Sequence, residues 1–112
     1  MRCLAFLAII ALASGCMCCG GFDDATAVTS EAIQKKDPNA CSKLESDFWR
    51  ISCCAGTGMQ LNESAICDGV ADQECKDYCY NGVASSRNDK DICDKIQTTS
   101  IRNGCLGETG EN

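Results

Sequence analysis

Twelve of the 112 residues are cysteine, and this density constrains the fold more than any other feature of the chain. Cysteine at about a tenth of a short chain is typical of disulfide scaffolds made in oxidising compartments. The competing class, cytosolic metal-binding proteins, uses paired Cys-x-x-Cys motifs, commonly together with histidine. The chain contains no histidine, and beyond position 19 it contains no Cys-x-x-Cys. The composition therefore predicts a disulfide-bonded protein with no metal ion and no cofactor.

The N-terminus has the composition of a secretory signal peptide. Arg2 precedes an apolar run from Cys3 to Ala13, and small residues occupy positions 13–15. This order predicts a signal peptide over residues 1–15, with cleavage as late as residue 20. The run is shorter than the ~20 apolar residues that cross a bilayer, so we expect secretion to the extracellular space and no membrane insertion of the mature protein. An alternative is a lipid anchor on Cys16, because residues 13–16 resemble a bacterial lipobox.

A polar segment without cysteine begins at Phe22 and ends in Lys35-Lys36, a dibasic pair of the kind that prohormone convertases cleave. We therefore predict a leader over residues 16–36 and a mature cysteine-rich domain over residues 37–112. Removing the leader leaves an even number of cysteines, which can pair completely. These eight predicted disulfide cysteines are Cys41, Cys53, Cys54, Cys67, Cys75, Cys79, Cys93 and Cys105. They allow 105 pairings, and the sequence does not choose among them.

Three helical patterns predict that the mature segment is an all-α, disulfide-rich three-helix bundle. The first helix starts at Asp37-Pro38 and ends at residues 56–58, since proline is favoured at the first helical position. The second starts at Asn62 and ends at residues 81–82, and the third starts near residue 86 and ends at residues 103–104. Cys75 and Cys79 lie one turn apart on the same face of the second helix, so we expect them to bond to two different partners.

The charge and the missing histidine exclude several functional classes. A net charge of −6 argues against nucleic-acid binding, which needs a basic surface, and against lysis of anionic membranes. Without histidine, Ser-His-Asp and Cys-His catalysis and histidine-bound zinc are not available. Carboxylate pairs remain, but no general acid or base can be assigned among them. We therefore predict that the protein is not an enzyme.

The predicted signal, leader, dibasic site and cysteine core form a layout that resembles the precursors of venom peptides such as conopeptides. The predicted helical domain, cross-linked by cysteines, also resembles the mating pheromones of Euplotes ciliates. These resemblances imply a secreted toxin-like or effector-like ligand of an extracellular receptor or channel, or alternatively a pheromone or peptide hormone. A third possibility is a protease inhibitor or binding module, in which residues 56–62 present Met59 or Leu61.

Two further positions are candidate sites. Trp49 follows Phe48, a residue of the first helical stripe, and is the leading candidate for a binding anchor. Asn62-Glu63-Ser64 is an N-glycosylation sequon, and Asn62 is equally suited to capping a helix. The oligomeric state is open at this stage.

Overall fold

A computed structural model describes residues 20–108, and over that range it contains helices and no strand. Four α-helices alternate with three short 3-10 helices. In chain order they are α1 (Gly20–Lys35), η1 (Pro38–Lys43), α2 (Asp47–Leu61), η2 (Ser64–Cys67), α3 (Gln73–Arg87), η3 (Lys90–Lys95) and α4 (Thr99–Glu108). The predicted all-α, disulfide-rich class is confirmed, but the elements are arranged differently from three continuous helices.

Each of the three predicted helices is split into a 3-10 helix and an α-helix. Between η1 and α2 the chain is extended at Leu44 and Ser46, and the Ser46 side chain accepts the Trp49 N–H as the cap of α2. A disulfide explains why this break is necessary. Twelve residues of continuous α-helix would separate Cys41 and Cys53 by about 18 Å, whereas their Cα atoms lie 5.7 Å apart.

The predicted helix ends are also wrong. Residues 56–58 and 81–82 lie inside α2 and α3, and residues 103–104 lie inside α4. Asn62, predicted to start the second helix, is instead the left-handed C-cap of α2, with φ of 58°. Asparagine adopts this conformation at lower cost than most residues. Residue 86 lies within α3, and Asn88 ends that helix as Asn62 ends α2.

The chain repeats with a period of 26 residues. Disulfides join Cys41 to Cys53, Cys67 to Cys79 and Cys93 to Cys105, so both bonded positions recur at this interval. The helix caps recur with them. In the described range the non-glycine residues with positive φ are Lys36, Asn62 and Asn88, and the residues that precede the α-helices of the three units are Ser46, Asp72 and Thr98. Each unit therefore consists of a left-handed turn, a 3-10 helix, an extended turn and an α-helix.

α2 and α3 lie parallel and in direct backbone contact. Cys54 of α2 is bonded to Cys75 of α3. One turn further along both helices, Gly58 faces the carbonyl group of Cys79 so closely that a Cβ atom would overlap it. Because the contacts advance together along both helices, the two run in the same direction. The 3-10 segments return the chain to the start of the next helix.

α1 occupies the place of a further unit before the first disulfide-bonded one. Its C-terminus has the geometry of the end of α3, since the Asp37 N–H donates to the Ala32 carbonyl at 2.9 Å, as the Asp89 N–H does to the Ala84 carbonyl at 3.0 Å. Ala32 is fully buried. The described part of the predicted leader is therefore a packed helix.

Candidate interaction surface

Disulfide bonds involve each of α2, α3 and α4. All eight predicted cysteines are bonded, in the pairs Cys41–Cys53, Cys54–Cys75, Cys67–Cys79 and Cys93–Cys105. As predicted, Cys75 and Cys79 bond to different partners. Three bridges tie an α-helix to the 3-10 helix of its own unit, and the Cys54–Cys75 bridge joins two units. Each of α2, α3 and α4 is therefore held covalently by at least one bridge.

Two large apolar side chains of the described residues are exposed, and both lie along one side of α2. Phe48 is 66% exposed and Met59 is 48% exposed. With Ser52 and Ala55 they follow the four, three and four residue spacing of a single helix face. This face is opposite Cys53 and Thr57, through which α2 contacts η1. It therefore points away from the 3-10 segments.

The same face carries almost no charge on the neighbouring helices. Of the four positions that lie 26 residues earlier, the three with described side chains are Thr26, Thr29 and Ile33 in α1. The four positions that lie 26 residues later are Glu74, Tyr78, Asn81 and Ser85 in α3. In α4 they are Ser100, Gly104 and Gly107. Glu74 is the one charged residue among these described positions. We call this side of the helices the uncharged face.

Most of the charged connecting residues lie on the other side, with the 3-10 helices. Lys43 and Glu45 belong to the first connection, Glu63, Asp68 and Asp72 to the second, and Asp89, Lys90, Asp91, Asp94 and Lys95 to the third. The molecule thus separates a charged side from an uncharged side.

Trp49, the predicted anchor, lies between the uncharged face and the core. It is half-buried, packs against the cluster that includes Ala25, Leu44 and Cys54, and meets the ring of Phe48 edge-on with centroids 4.9 Å apart. Beside it a shallow groove of about 350 Å³ separates α1 from α2. The groove is lined by Thr26, Thr29, Ser30 and Ile33 on one side and by Trp49, Ser52 and Cys53 on the other.

The predicted processing site lies at the end of α1. Lys35 is in the last turn, where its ammonium group is 3.1 Å from the Glu31 carboxylate, and Lys36 adopts the left-handed conformation with φ of 54°. Lys43 reaches the same carboxylate at 2.5 Å. Hydrogen bonds from Lys43 first, and then from Lys35, hold the pKa of Glu31 below its ordinary value. Cleavage after Lys36 stays a prediction.

Asn62 is exposed at the turn after α2. Its backbone N–H donates to the Gly58 carbonyl at 2.9 Å, and its own carbonyl accepts a hydrogen bond from Arg87 at 3.2 Å. Its exposure is compatible with glycosylation, which stays a prediction. Asn88 occupies the same place in the next unit, but the residue two positions after it is Lys90 and not serine or threonine.

The segment proposed as an inhibitor loop is helical. Met59 and Leu61 belong to the last turns of α2, and the disulfides of this unit lie earlier in the helix. A substrate-like protease inhibitor loop is extended, so this geometry does not provide one.

The described part of the chain contains no group of three or more potential metal-ligating side chains, and none of its helices is long and apolar enough to cross a membrane. The predicted signal peptide and the cysteines Cys3, Cys16, Cys18 and Cys19 lie outside the described residues. Comparisons with protein-family models, with curated proteins and with solved structures find no match for this chain.

Reasoning from the sequence missed the repeat and the uncharged face. The signal that finds both is the 26-residue interval between Cys41, Cys67 and Cys93, which places equivalent helix positions in register. It also missed the packing of α1, whose buried residues Ala25 and Ala32 stand seven residues apart within a polar segment.

Proposed function

We propose that this protein is a secreted, disulfide-rigidified ligand that binds an extracellular protein receptor or channel through its uncharged face. The observation that carries the proposal is the exposure of Phe48 and Met59 on that face of α2. Large apolar side chains that are rigidly held and solvent-exposed are characteristic of binding anchors. If processing occurs after Lys36, α2, α3 and α4 with their 3-10 segments form the mature three-helix domain.

Charge favours a partner surface that is itself apolar and neutral. The chain has a net charge of −6, while the uncharged face carries Glu74 alone among its described side chains. An acidic phospholipid surface or a nucleic acid would be attracted to basic residues, which this face lacks. A neutral protein surface with an apolar pocket for Phe48 matches both the apolar character and the lack of charge of this face. Whether the activity is toxin-like, effector-like or pheromone-like depends on the receptor.

Secretion and processing are tested by producing the full chain in a secreting eukaryotic cell and measuring the intact mass of the product. We expect the mass of residues 37–112, with eight cysteines that become alkylated after reduction and none before. A product that retains Cys16, with added lipid mass or with a free thiol, would contradict the soluble, processed ligand.

Binding is tested with the labelled secreted protein on cells of the source organism. We expect saturable binding that the unlabelled protein competes, and a loss of affinity of about 10–100-fold when Phe48→Ser and Met59→Ser are combined. Both side chains are exposed, so the double variant should keep the stability of the parent protein. Ala65→Ser, at an exposed position on the charged side, is the control and should bind normally. Equal binding by both variants would exclude the uncharged face.

A further inference from the structure

α1 is attached to the rest of the molecule differently from the other three α-helices. Each of α2, α3 and α4 carries at least one disulfide, whereas no described cysteine lies in α1. All eight cysteines beyond residue 36 are bonded to one another, so none remains to tie α1 down. In a repeat array each unit contacts its neighbours alone, and a terminal unit can open by breaking one interface.

The described core contacts of α1 are made by small side chains. Among its residues with described side chains, those in the core cluster are Ala25, Val28 and Ala32, which bury little apolar area. The described ion pair that links it to the 3-10 helix, Glu31 to Lys43, has a lysine side chain that is 57% exposed. Exposed ion pairs of this kind add little to stability. Docking of α1 therefore depends strongly on its covalent connection through Lys36.

What α1 covers is the side of α2 that carries Trp49. The indole packs in the same cluster as Ala25 and Val28, and the groove beside it has α1 as one wall. Removing α1 would expose the indole and extend the apolar surface from Phe48 across α2. Lys43 would lose its carboxylate partner at the edge of this surface.

We propose that α1 is a releasable cover of Trp49, and that hydrolysis of the Lys36–Asp37 peptide bond uncovers a second part of the binding surface. A dibasic-specific convertase supplies the protease: water adds hydroxyl to the Lys36 carbonyl carbon and a proton to the Asp37 nitrogen. While joined by a short turn, α1 faces its site at an effective concentration of about millimolar. Once cut, at micromolar protein, it dissociates.

The covered surface also indicates its later occupant. α1 presents small apolar residues at positions 25, 28 and 32 and a carboxylate at position 31 that meets Lys43. A receptor helix with small apolar side chains at the same spacing fits the uncovered surface. To the neutral partner surface proposed for the uncharged face it adds one acidic residue, which pairs with Lys43 at the edge. The biological role of the uncovered surface rests on the proposed function. The test of its uncovering uses the purified protein and needs no receptor.

The chain has a single tryptophan, Trp49, so its fluorescence reports the cover directly. The unprocessed chain, secreted from cells that lack the convertase, is treated with the convertase and followed by gel filtration and by tryptophan emission. We expect the α1 fragment to separate and the emission maximum to shift to longer wavelength. A synthetic peptide of residues 20–36, added in excess, should reverse the shift. A fragment that stays bound, an unchanged emission or a bond that resists cleavage would overturn the proposal.

An uncut pair of variants provides the second measurement. Ala32→Gln places a larger polar side chain at a fully buried position of α1, whereas Ala27→Gln does so at an exposed position of the same helix. We expect Ala32→Gln to shift the emission as cleavage does, with α2 to α4 still folded by near-ultraviolet circular dichroism, and Ala27→Gln to have no effect. Unfolding of the whole molecule by Ala32→Gln would show that α1 is not releasable and would also overturn the proposal.

Discussion

At the scale of single residues, Asp77 is the most constrained polar group. It is fully buried in α3 and accepts hydrogen bonds from the backbone N–H groups of Gln97 and Thr98, from the Thr98 hydroxyl and from Gln73. It thus fixes the start of α4 against α3. Burial opposes ionisation of this carboxyl, but these hydrogen bonds outweigh it and hold its pKa below the ordinary value.

We predict that Asp77→Asn lowers the free energy of unfolding at pH 7 by about 1–3 kcal/mol, because the amide nitrogen must face a donor and leave it without a partner. Asp94→Asn, at an exposed position of η3, makes the same change of charge and should have little effect. Denaturant unfolding with the disulfides intact measures both. An equal loss of stability in both variants would mean that the negative charge, and not the hydrogen bonds of Asp77, stabilises the fold.

The lowered pKa of Asp77 also sets a pH dependence. A carboxyl group with a depressed pKa in the folded state contributes its full stabilisation above its unfolded pKa, about 3.9, and loses it as the pH falls through the folded value. The difference in stability between the parent protein and Asp77→Asn should therefore be constant from about pH 7 to pH 5 and become smaller below about pH 4. A difference that grows at acid pH would contradict the assignment.

At the scale of elements, the α2–α3 contact depends on two glycines. A Cβ atom at Gly58 would overlap the Cys79 carbonyl oxygen, and one at Gly82 would overlap the Ala55 carbonyl oxygen. Backbone atoms cannot move aside without separating the helices, and the Cys54–Cys75 bridge opposes that separation. These glycines are needed for close packing, although glycine disfavours a helix interior.

We predict that Gly58→Ala and Gly82→Ala each lower the free energy of unfolding by about 1–3 kcal/mol, which is typical of overpacking. Gly104→Ala is the matched control, since Gly104 lies in α4 with no neighbouring atom within 4 Å of an added Cβ. It should raise stability by about 0.5–1 kcal/mol through helix propensity. Thermal or denaturant unfolding compares the three. A gain in stability for all three variants would show that α2 and α3 can separate at little cost in free energy.

The elements themselves were only partly predictable. The apolar stripes of residues 37–105 indicate helices correctly, because they reflect a buried side that any packing must satisfy. The boundaries depend on disulfide pairing, which sequence leaves open: once Cys41 bonds to Cys53, a single helix through both is impossible. Asn62 can cap either end of a helix, and its role follows from the 3-10 helix after it.

At the scale of the whole molecule, the repeat explains how so short a chain forms several packed helices. Each disulfide-bonded unit closes a bridge with a sequence separation of 12, so much of the structure is fixed locally, and the units then stack along the chain. The candidate surface follows from this stacking, since equivalent positions of successive helices fall on one side. The cysteine count predicts a disulfide scaffold and the apolar stripes predict helices. Locating the surface requires the register between units.

Stacked units can open one at a time, whereas a single globular core opens as a whole. We predict the order in which the helices open from the disulfide bridges. α1 packs against one α-helix and against η1 and has no described disulfide, while α2 and α3 share the Cys54–Cys75 bridge and direct backbone contact. A disulfide contributes about 2–4 kcal/mol, so α1 amides should exchange with solvent roughly 30–1000-fold faster than the slowest amides of α2 and α3. Native-state hydrogen exchange at several denaturant concentrations measures these opening free energies helix by helix. If α1 opened with the same free energy and denaturant dependence as α2 and α3, the four helices would form one cooperative unit, and the weak attachment of α1 would be disproved independently of its fluorescence.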